Sequence, residues 1–435
     1  MREMKDNGIE WIGEIPANWN IARIKNCFQL KAGNAFPIEL QGKDDGEYPV
    51  FKAGDISLNN GKISSKAKNF ISLNQSKNFN IFPIGTIIFP KIGEALKKNS
   101  RVLLSSPACL DNNCEGAIPL SINKKYGFYL FSCIDMIWFD NASTIPNINI
   151  MKLANLKIPF LIQSEQQLIA NFLDKKCNEI DSLTSDIQKQ IETLQEYKKS
   201  VITEAVTKGL DPNVEMKDSG VEWIGEMPKQ WEISRFKYIC RVQGRIGFKG
   251  YKKTDLVGKG EGAYTIGGKH ISNNVIDLSE PEFISWDKYY ESPEIMLKLG
   301  DILIAQRGTL DRAAIVEKDI GPATINPSLA ILKDIKINNK FLYWVVISNL
   351  ISETIKILNS STAVPMISQE QINNFPIFIP PVSEQIEIST YLDDKCSEIN
   401  LLIEGKNKQL ETLEQYKKSL IYEYVTGKKE VPNYV

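Results

Sequence analysis

A single histidine, His270, serves a chain of 435 residues. That scarcity excludes schemes built on paired imidazoles, whether for proton relay or for a zinc site. Long hydrophobic runs are missing as well. The longest, near Ile81–Pro90 and Ile377–Pro381, are too short to cross a bilayer. The polar opening segment, Met1–Trp11, has no apolar stretch of the kind found in secretion signals. The expectation is a cytoplasmic protein with no membrane partner. Cysteine is present but unpaired in number: Cys27, Cys109, Cys114, Cys133, Cys177, Cys240 and Cys396 make seven. An odd count without a secretion signal predicts free thiols. Cys109 and Cys114 have no partner cluster, so no metal site is expected.

An excess of one charge is also lacking, since 52 Lys+Arg face 53 Asp+Glu. The balance hides a partition. Residues 22–155 carry 16 basic and 10 acidic side chains, net +6, and residues 234–370 carry 18 and 15, net +3. Residues 156–233 are net −5 (9 against 14) and residues 371–435 net −3 (7 against 10). A polyanion would be met by the two positive blocks and not by the whole surface. For the smaller excess, chance fluctuation on a solvated face is an equal account.

Catalytic signatures are absent too. Amino-methyltransferases of DNA hold the target amine with an Asn/Asp-Pro-Pro-aromatic loop. The nearest string, Asn326-Pro327-Ser328-Leu329, lacks the second proline and the aromatic. Gly258–Lys269 resembles a phosphate-binding loop, but Ala263 stands where its first glycine is required and His270 where Ser or Thr is. No glycine-rich methyl-donor loop and no carboxylate–lysine constellation of a metal nuclease is evident.

What the chain does have is itself, twice. Met4–Lys25 matches Met216–Lys237 at an offset of 212, with 14 identities in 22 positions. Ser164–Thr207 matches Ser383–Thr426 at an offset of 219, with 24 identities in 44. The segments between hardly agree. Faint echoes pair Ile56-Ser57 with Ile271-Ser272, Phe70-Ile71-Ser72 with Phe283-Ile284-Ser285, and Gly85-Thr86-Ile87 with Gly300-Asp301-Ile302. The plan is head, variable block and helix, repeated. It predicts 1–155 as head and first variable domain, 156–213 as first helix, 214–370 as second head and variable domain, and 371–435 as second helix and tail.

Both downstream repeats read as long helices. In the first, Leu173, Cys177, Ile180, Thr184, Ile187, Ile191, Leu194, Lys198, Val201 and Ala205 recur at alternating spacings of four and three. The second repeats the pattern with Leu392, Cys396, Ile399, Ile403, Lys406, Leu410, Leu413, Lys417, Leu420 and Tyr424. This is a coiled-coil seam. Ser164 and Ser383 are candidate caps, and Gly405 a weak point. Neither seam can bury itself, so the helices are expected to pair antiparallel as a spacer between the variable domains. The alternative is that each lies on its own domain. Cys177 and Cys396 read as small core residues.

Short β-like runs broken by Gly, Asn and Pro fill both variable blocks, each closing on a helix near Tyr126–Phe139 and Asn339–Leu358. The fold class is mixed α/β: two domains separated by two long helices, with an internal pseudo-two-fold. Candidate nucleic-acid contacts are Lys62, Lys66, Lys68, Lys91, Lys97, Lys98 and Arg101 in the first block. In the second they are Arg245, Lys249, Tyr251, Lys252, Lys253, Gln306, Arg307 and Arg312. Arg and Lys read guanine or hold phosphates, and Gln reads adenine. Solvated surface charge is the competing account for any one of them.

The duplicated Gly-Ile/Val-Glu-Trp-Ile-Gly-Glu-Ile/Met-Pro-x-x-Trp heads, the run Pro380–Gln385 before a long helix, and Tyr416–Ile421 resemble the specificity subunits of type I restriction-modification enzymes. The resemblance covers the whole chain. It implies two target-recognition domains, each reading half of a bipartite asymmetric DNA site. It implies an antiparallel coiled coil that fixes the spacer and docks two modification subunits. Those partners would carry S-adenosylmethionine and methylate adenine at N6. Restriction subunits using ATP would complete the nuclease. This chain itself would have no cofactor and no catalytic centre. One departure stands out: Phe160-Leu161-Ile162-Gln163 replaces Ile379-Pro380-Pro381-Val382, which predicts a different helix start. Two other readings stay open, a coiled-coil scaffold independent of DNA and a single-chain modification enzyme.

Overall fold

The computed structural model describes residues 3–142, 144–221, 224–245, 250–310, 312–358 and 365–432. They form two compact units. Unit 1 joins Met1–Ile187 to Lys408–Val435, and unit 2 is Gln188–Asn407.

Unit 1 opens on a hairpin, Met4–Ile9 against Gly13–Pro16. The chain then runs along Asn20–Arg23, which pairs antiparallel with Lys157–Phe160, the strand that leaves the variable block. The block is thus closed at its own neck. Inside it, Phe28–Ala32, Cys114–Pro119, Ile87–Pro90, Val102–Leu104 and Lys62–Ser64 form one sheet in that order. A second sheet sets Tyr48–Phe51 between Cys109–Leu110 and Asn69–Ile71. Ile87–Pro90 is buried at every position, which explains its unbroken apolar run.

Unit 2 repeats the plan. Met216–Asp218 pairs with Glu226–Pro228, and the neck is Glu232–Arg235 with Pro376–Ile379. The main sheet runs Arg241–Gly244, Leu329–Lys333, Ile302–Ala305, Ala313–Ile315, with Ile302–Ala305 again wholly buried. The second sheet places Gly262–Ile266 between Phe283–Ser285 and Ala323–Ile325, with Leu256–Val257 at its edge. Two of the faint sequence echoes have a local cause. Phe70-Ile71 and Phe283-Ile284 are matching strands, and the following Ser72 and Ser285 each cap a short helix. Gly85 and Gly300 both hold φ of +85° at the turn into the central strand, a conformation that L side chains avoid. Ile56-Ser57 and Ile271-Ser272 differ: the first pair is helical and the second a strand.

The two long helices are α1, Gln163–Lys208, and α2, Val382–Val425. Ser164 and Ser383 therefore fall within the first turn and do not cap it. The starts are instead tied by Gln166 and Gln385. Gln166 Nε2 donates to the Leu161 carbonyl at 2.7 Å, and Gln385 Nε2 to the Pro380 carbonyl at 2.8 Å. The same bond serves both copies, so the sequence difference ahead of the helices does not change how they begin. α2 continues through Gly405, whose Cβ position faces open space.

Pairing is antiparallel within each unit. In unit 1 the rings of Phe172 and Tyr424 lie 4.5 Å apart, and Lys417 donates to Asp181 at 2.6 and 2.8 Å. In unit 2 Lys198 donates to Asn400 at 2.8 Å and Lys406 to Gln190 at 2.6 Å. Leu173, Cys177, Ile180, Ile191, Leu392, Cys396 and Ile399 are buried on this seam, while Ile187, Leu194, Ile403, Leu410 and Leu413 are half-buried. The seam lysines thus bridge helices instead of interrupting them. Cys177 and Cys396 are free, and burial pushes both thiols up to about 11.

The heads plug helix ends. Trp231, fully buried, donates its indole N–H to Glu384 at the start of α2 at 2.9 Å. In unit 1 Lys428, beyond the end of α2, donates to the Glu14 carbonyl at 2.7 Å. The two helices that close the variable blocks are Lys124–Ser132, followed by a 3-10 turn at Met136–Phe139, and the pair Asn339–Val346 and Asn349–Leu358. Each span that the sequence reads as one helix is thus broken into two pieces. Among the described residues no single helix is long and apolar enough to cross a membrane.

Candidate nucleic-acid interface

Each variable block is fastened to its long helix by one repeated latch. Asn123 caps Lys124–Ser132 with its side chain and donates its main-chain N–H to Gln166 Oε1 at 2.7 Å. Asn338 caps Asn339–Val346 and donates to Gln385 Oε1 at 2.9 Å. About two helical turns further along the long helix, Lys125 and the Tyr129 hydroxyl (2.7 Å) both reach Asp174. In unit 2 Lys340 (2.5 Å) and the Trp344 indole (3.2 Å) reach Asp393. Gln166 and Gln385 are buried, and each uses both ends of its amide. The repeated Gln and Asp of the helices thus set how a divergent block is held.

On those blocks, burial divides the sequence candidates. Lys62, Lys66 and Lys68 are exposed at the sheet edge of unit 1. Their backbone is fixed: Lys66 N–H donates to Ser64 at 3.0 Å, and Lys68 N–H to Asp55 at 3.2 Å. Lys97 and Lys98 are exposed too, with Lys97 paired to exposed Glu94 at 2.9 Å. Such a pair contributes little and gives way readily to a phosphate. Lys91 is half-buried against buried Glu115 at 3.3 Å. Burial raises the Glu115 carboxyl, and Lys91 opposes that shift. Arg101 is turned inward. Its guanidinium donates to the carbonyls of Asn99 (2.7 Å) and Ile134, and burial lowers its pKa to about 10. The sequence groups it with the reading residues, but packing commits it to the loop that it folds around.

In unit 2 Lys252 and Lys253 are exposed, and Lys252 N–H donates to Asp255 at 2.6 Å. Arg245 is buried. It donates to the Ile325 carbonyl at 3.2 Å and to Thr324 Oγ1 at 3.3 Å, and lies 5.4 Å from the centroid of the Tyr251 ring. Desolvation lowers its pKa. Arg245 and Tyr251 are thus brought together as a support. Gln306, Arg307 and Arg312 share the turn after Ile302–Ala305. Gln306 donates to the Leu329 carbonyl at 2.9 Å and Arg312 to the Gly268 carbonyl at 2.6 Å, while Arg307 is exposed. Lys249 lies outside the described residues.

Sequence reasoning passed over one exposed aromatic step. Trp286 and Tyr290 stack at 6.0 Å with planes 26° apart, 38% and 65% exposed. The signal was available in the string Trp286–Tyr290, where three rings fall in five residues. An exposed ring pair is a surface on which a base can stack. His270 is a structural residue: its Nδ1 accepts from Gly267 N–H at 2.9 Å, and its Nε2 lies 3.2 Å from the Glu280 carbonyl. Among the described residues no group of three or more His, Cys, Asp or Glu could hold a metal ion.

The sequence profile described as "Type I restriction modification DNA specificity domain" matches this chain twice, at residues 16–193 and 228–412. The chain belongs to that family. The two matches start 212 residues apart and end 219 apart, the offsets of the internal repeats. Among curated proteins, the type I restriction enzyme MjaVIII specificity subunit of Methanocaldococcus jannaschii is 29% identical, over 96% of this chain and 95% of the relative. The putative MjaX specificity subunit of the same organism is 27% identical over the same shares. A chain from a solved type I R-M system shares the fold, with a TM-score of 0.67 at 13% identity, covering 95% of this chain and 99% of the other. The family's two specificity domains correspond to two variable blocks with their latches.

Proposed function

We propose that this chain selects the DNA site for a type I restriction-modification complex and leaves the chemistry to its partners. Each variable block reads one half of a bipartite, asymmetric duplex site, and the paired long helices keep the half-sites at a set spacing. Two modification subunits dock on the repeated segments and supply S-adenosylmethionine chemistry at adenine N6. Restriction subunits that use ATP add cleavage, and the assembly works in the cytoplasm. The observation that carries this reading is the latch: two divergent, lysine-bearing blocks held on one repeated framework. Exposed lysines at Lys62, Lys66, Lys68, Lys98, Lys252 and Lys253 take phosphates in this reading, and Trp286 with Tyr290 borders the same duplex.

Methylome sequencing of cells expressing the chain with its modification subunits tests the proposal. A bipartite methyl-adenine motif that vanishes when this chain is deleted supports it. No motif, together with DNA binding that does not weaken as salt rises, would point to a scaffold that works without DNA.

A further inference from the structure

The turn after the central strand of each block is the same device with different side chains. In unit 1 it is Lys91-Ile92-Gly93, and in unit 2 Gln306-Arg307-Gly308. Gly93 and Gly308 hold φ of +80° and +79°. Gly93 N–H donates to the Pro146 carbonyl at 2.8 Å, and Gly308 N–H to the Pro365 carbonyl at 3.2 Å. The Lys91 carbonyl accepts from Ile148 N–H at 3.0 Å, and the Gln306 carbonyl from Ile367 N–H at 2.9 Å. Lys91 N–H donates to the Asn113 carbonyl at 2.9 Å, and Gln306 N–H to the Ser328 carbonyl at 2.8 Å. Ile92 bridges Asn147, and Arg307 bridges Met366.

The backbone is therefore pinned alike in both units, while the side chain at the middle position changes from a half-buried isoleucine to an exposed arginine. The Arg307 guanidinium makes no hydrogen bond or ion pair with a described residue, unlike Arg101, Arg245 and Arg312. A framework held constant while one projecting residue varies is what a specificity position requires. A fixed backbone also leaves only side-chain freedom to be lost on binding. Arginine carries a planar fork of donors, which fits guanine O6 and N7 together and is more than a phosphate contact needs.

The geometry points to Arg307 as a specificity-determining residue that reads a guanine in the half-site met by unit 2, with Ile92 giving unit 1 no equivalent reading. This rests on the proposed function. The test is methylome sequencing of the full complex carrying Arg307→Ala, Arg307→Lys or Ile92→Ala, with thermal unfolding of each purified chain as the fold control. Arg307→Ala is expected to unfold at the wild-type temperature. It should make one guanine position of one half-site degenerate, with a discrimination loss of roughly 5- to 150-fold. Arg307→Lys should keep part of that preference, and Ile92→Ala should leave the guanine intact. Uniformly weaker methylation with an unchanged motif would mean a phosphate contact and overturn the assignment, as would degeneracy in both half-sites or a lowered unfolding temperature. A wild-type complex that modifies no bipartite motif overturns the proposed function, and the assignment with it, and differs from those outcomes because the wild type itself fails.

Discussion

Tyr126 donates its hydroxyl to the main-chain carbonyl of Val425 at 3.0 Å, across 299 positions of sequence. Tyr126 is fully buried, and Val425 ends α2, where helix carbonyls lack a partner within the helix. Tyr126→Phe removes the donor and keeps the ring, leaving a buried acceptor unpaired. The expected cost is about 1–3 kcal/mol, read as a lower urea midpoint with an unchanged slope.

Gln166 and Gln385 make the same two bonds in different units, so their loss should be local. Gln166→Leu should strip hydrogen-exchange protection from the Asn123 amide and leave the Asn338 amide protected. Gln385→Leu should do the reverse. Each orphaned buried group costs about 1–3 kcal/mol. Loss of protection at both amides in either variant would mean that the latch is not confined to its unit.

His270 is the only histidine, which makes its proton titration readable without assignment. Burial, then the neighbouring Lys269, lower its pKa below the ordinary 6.5. A folded pKa below the unfolded one means that the native state binds fewer protons, so stability is complete above about pH 6.5 and falls as pH drops toward the folded value. The imidazole resonance should titrate below pH 6.5 in the native protein and move up to the ordinary value in urea.

Burial pushes the thiols of Cys109, Cys133 and Cys240 up to about 12. The thiolate is the reactive form, so a disulfide reagent at pH 8 should modify these cysteines slowly in the native state and quickly in denaturant. The sign for stability is the opposite of the histidine case. The native state keeps protons that the unfolded state loses, so stability should decline as pH rises from about 9 toward 12.

The long helices were legible because a seam at spacings of four and three survives in sequence even where Lys198, Lys406 and Lys417 occupy it. The heads were legible from identity alone. The sheet orders were not, because Ile87–Pro90 and Ile302–Ala305 are buried on both faces and show no alternation that would give a partner. Nor could the sequence separate Arg101 and Arg245 from Arg307. All three flank β-like runs, and only packing shows that two spend their donors on carbonyls. The latch was visible only as unexplained identity at Gln166/Gln385 and Asp174/Asp393, since its other half, Asn123 and Asn338, lies in blocks that otherwise diverge.

The discontinuity of unit 1 also orders events on the ribosome. Unit 2 is one continuous stretch, 188–407, while unit 1 needs Lys408–Val435 to complete its seam and to supply the carbonyl that Tyr126 engages. At about 5–20 residues per second, the intervening 220 residues (407 − 188 + 1) take roughly 10–45 s to synthesise. The first block made is therefore the last to be finished, and through that interval its half of α1 presents an unpaired apolar stripe to the nascent-chain environment.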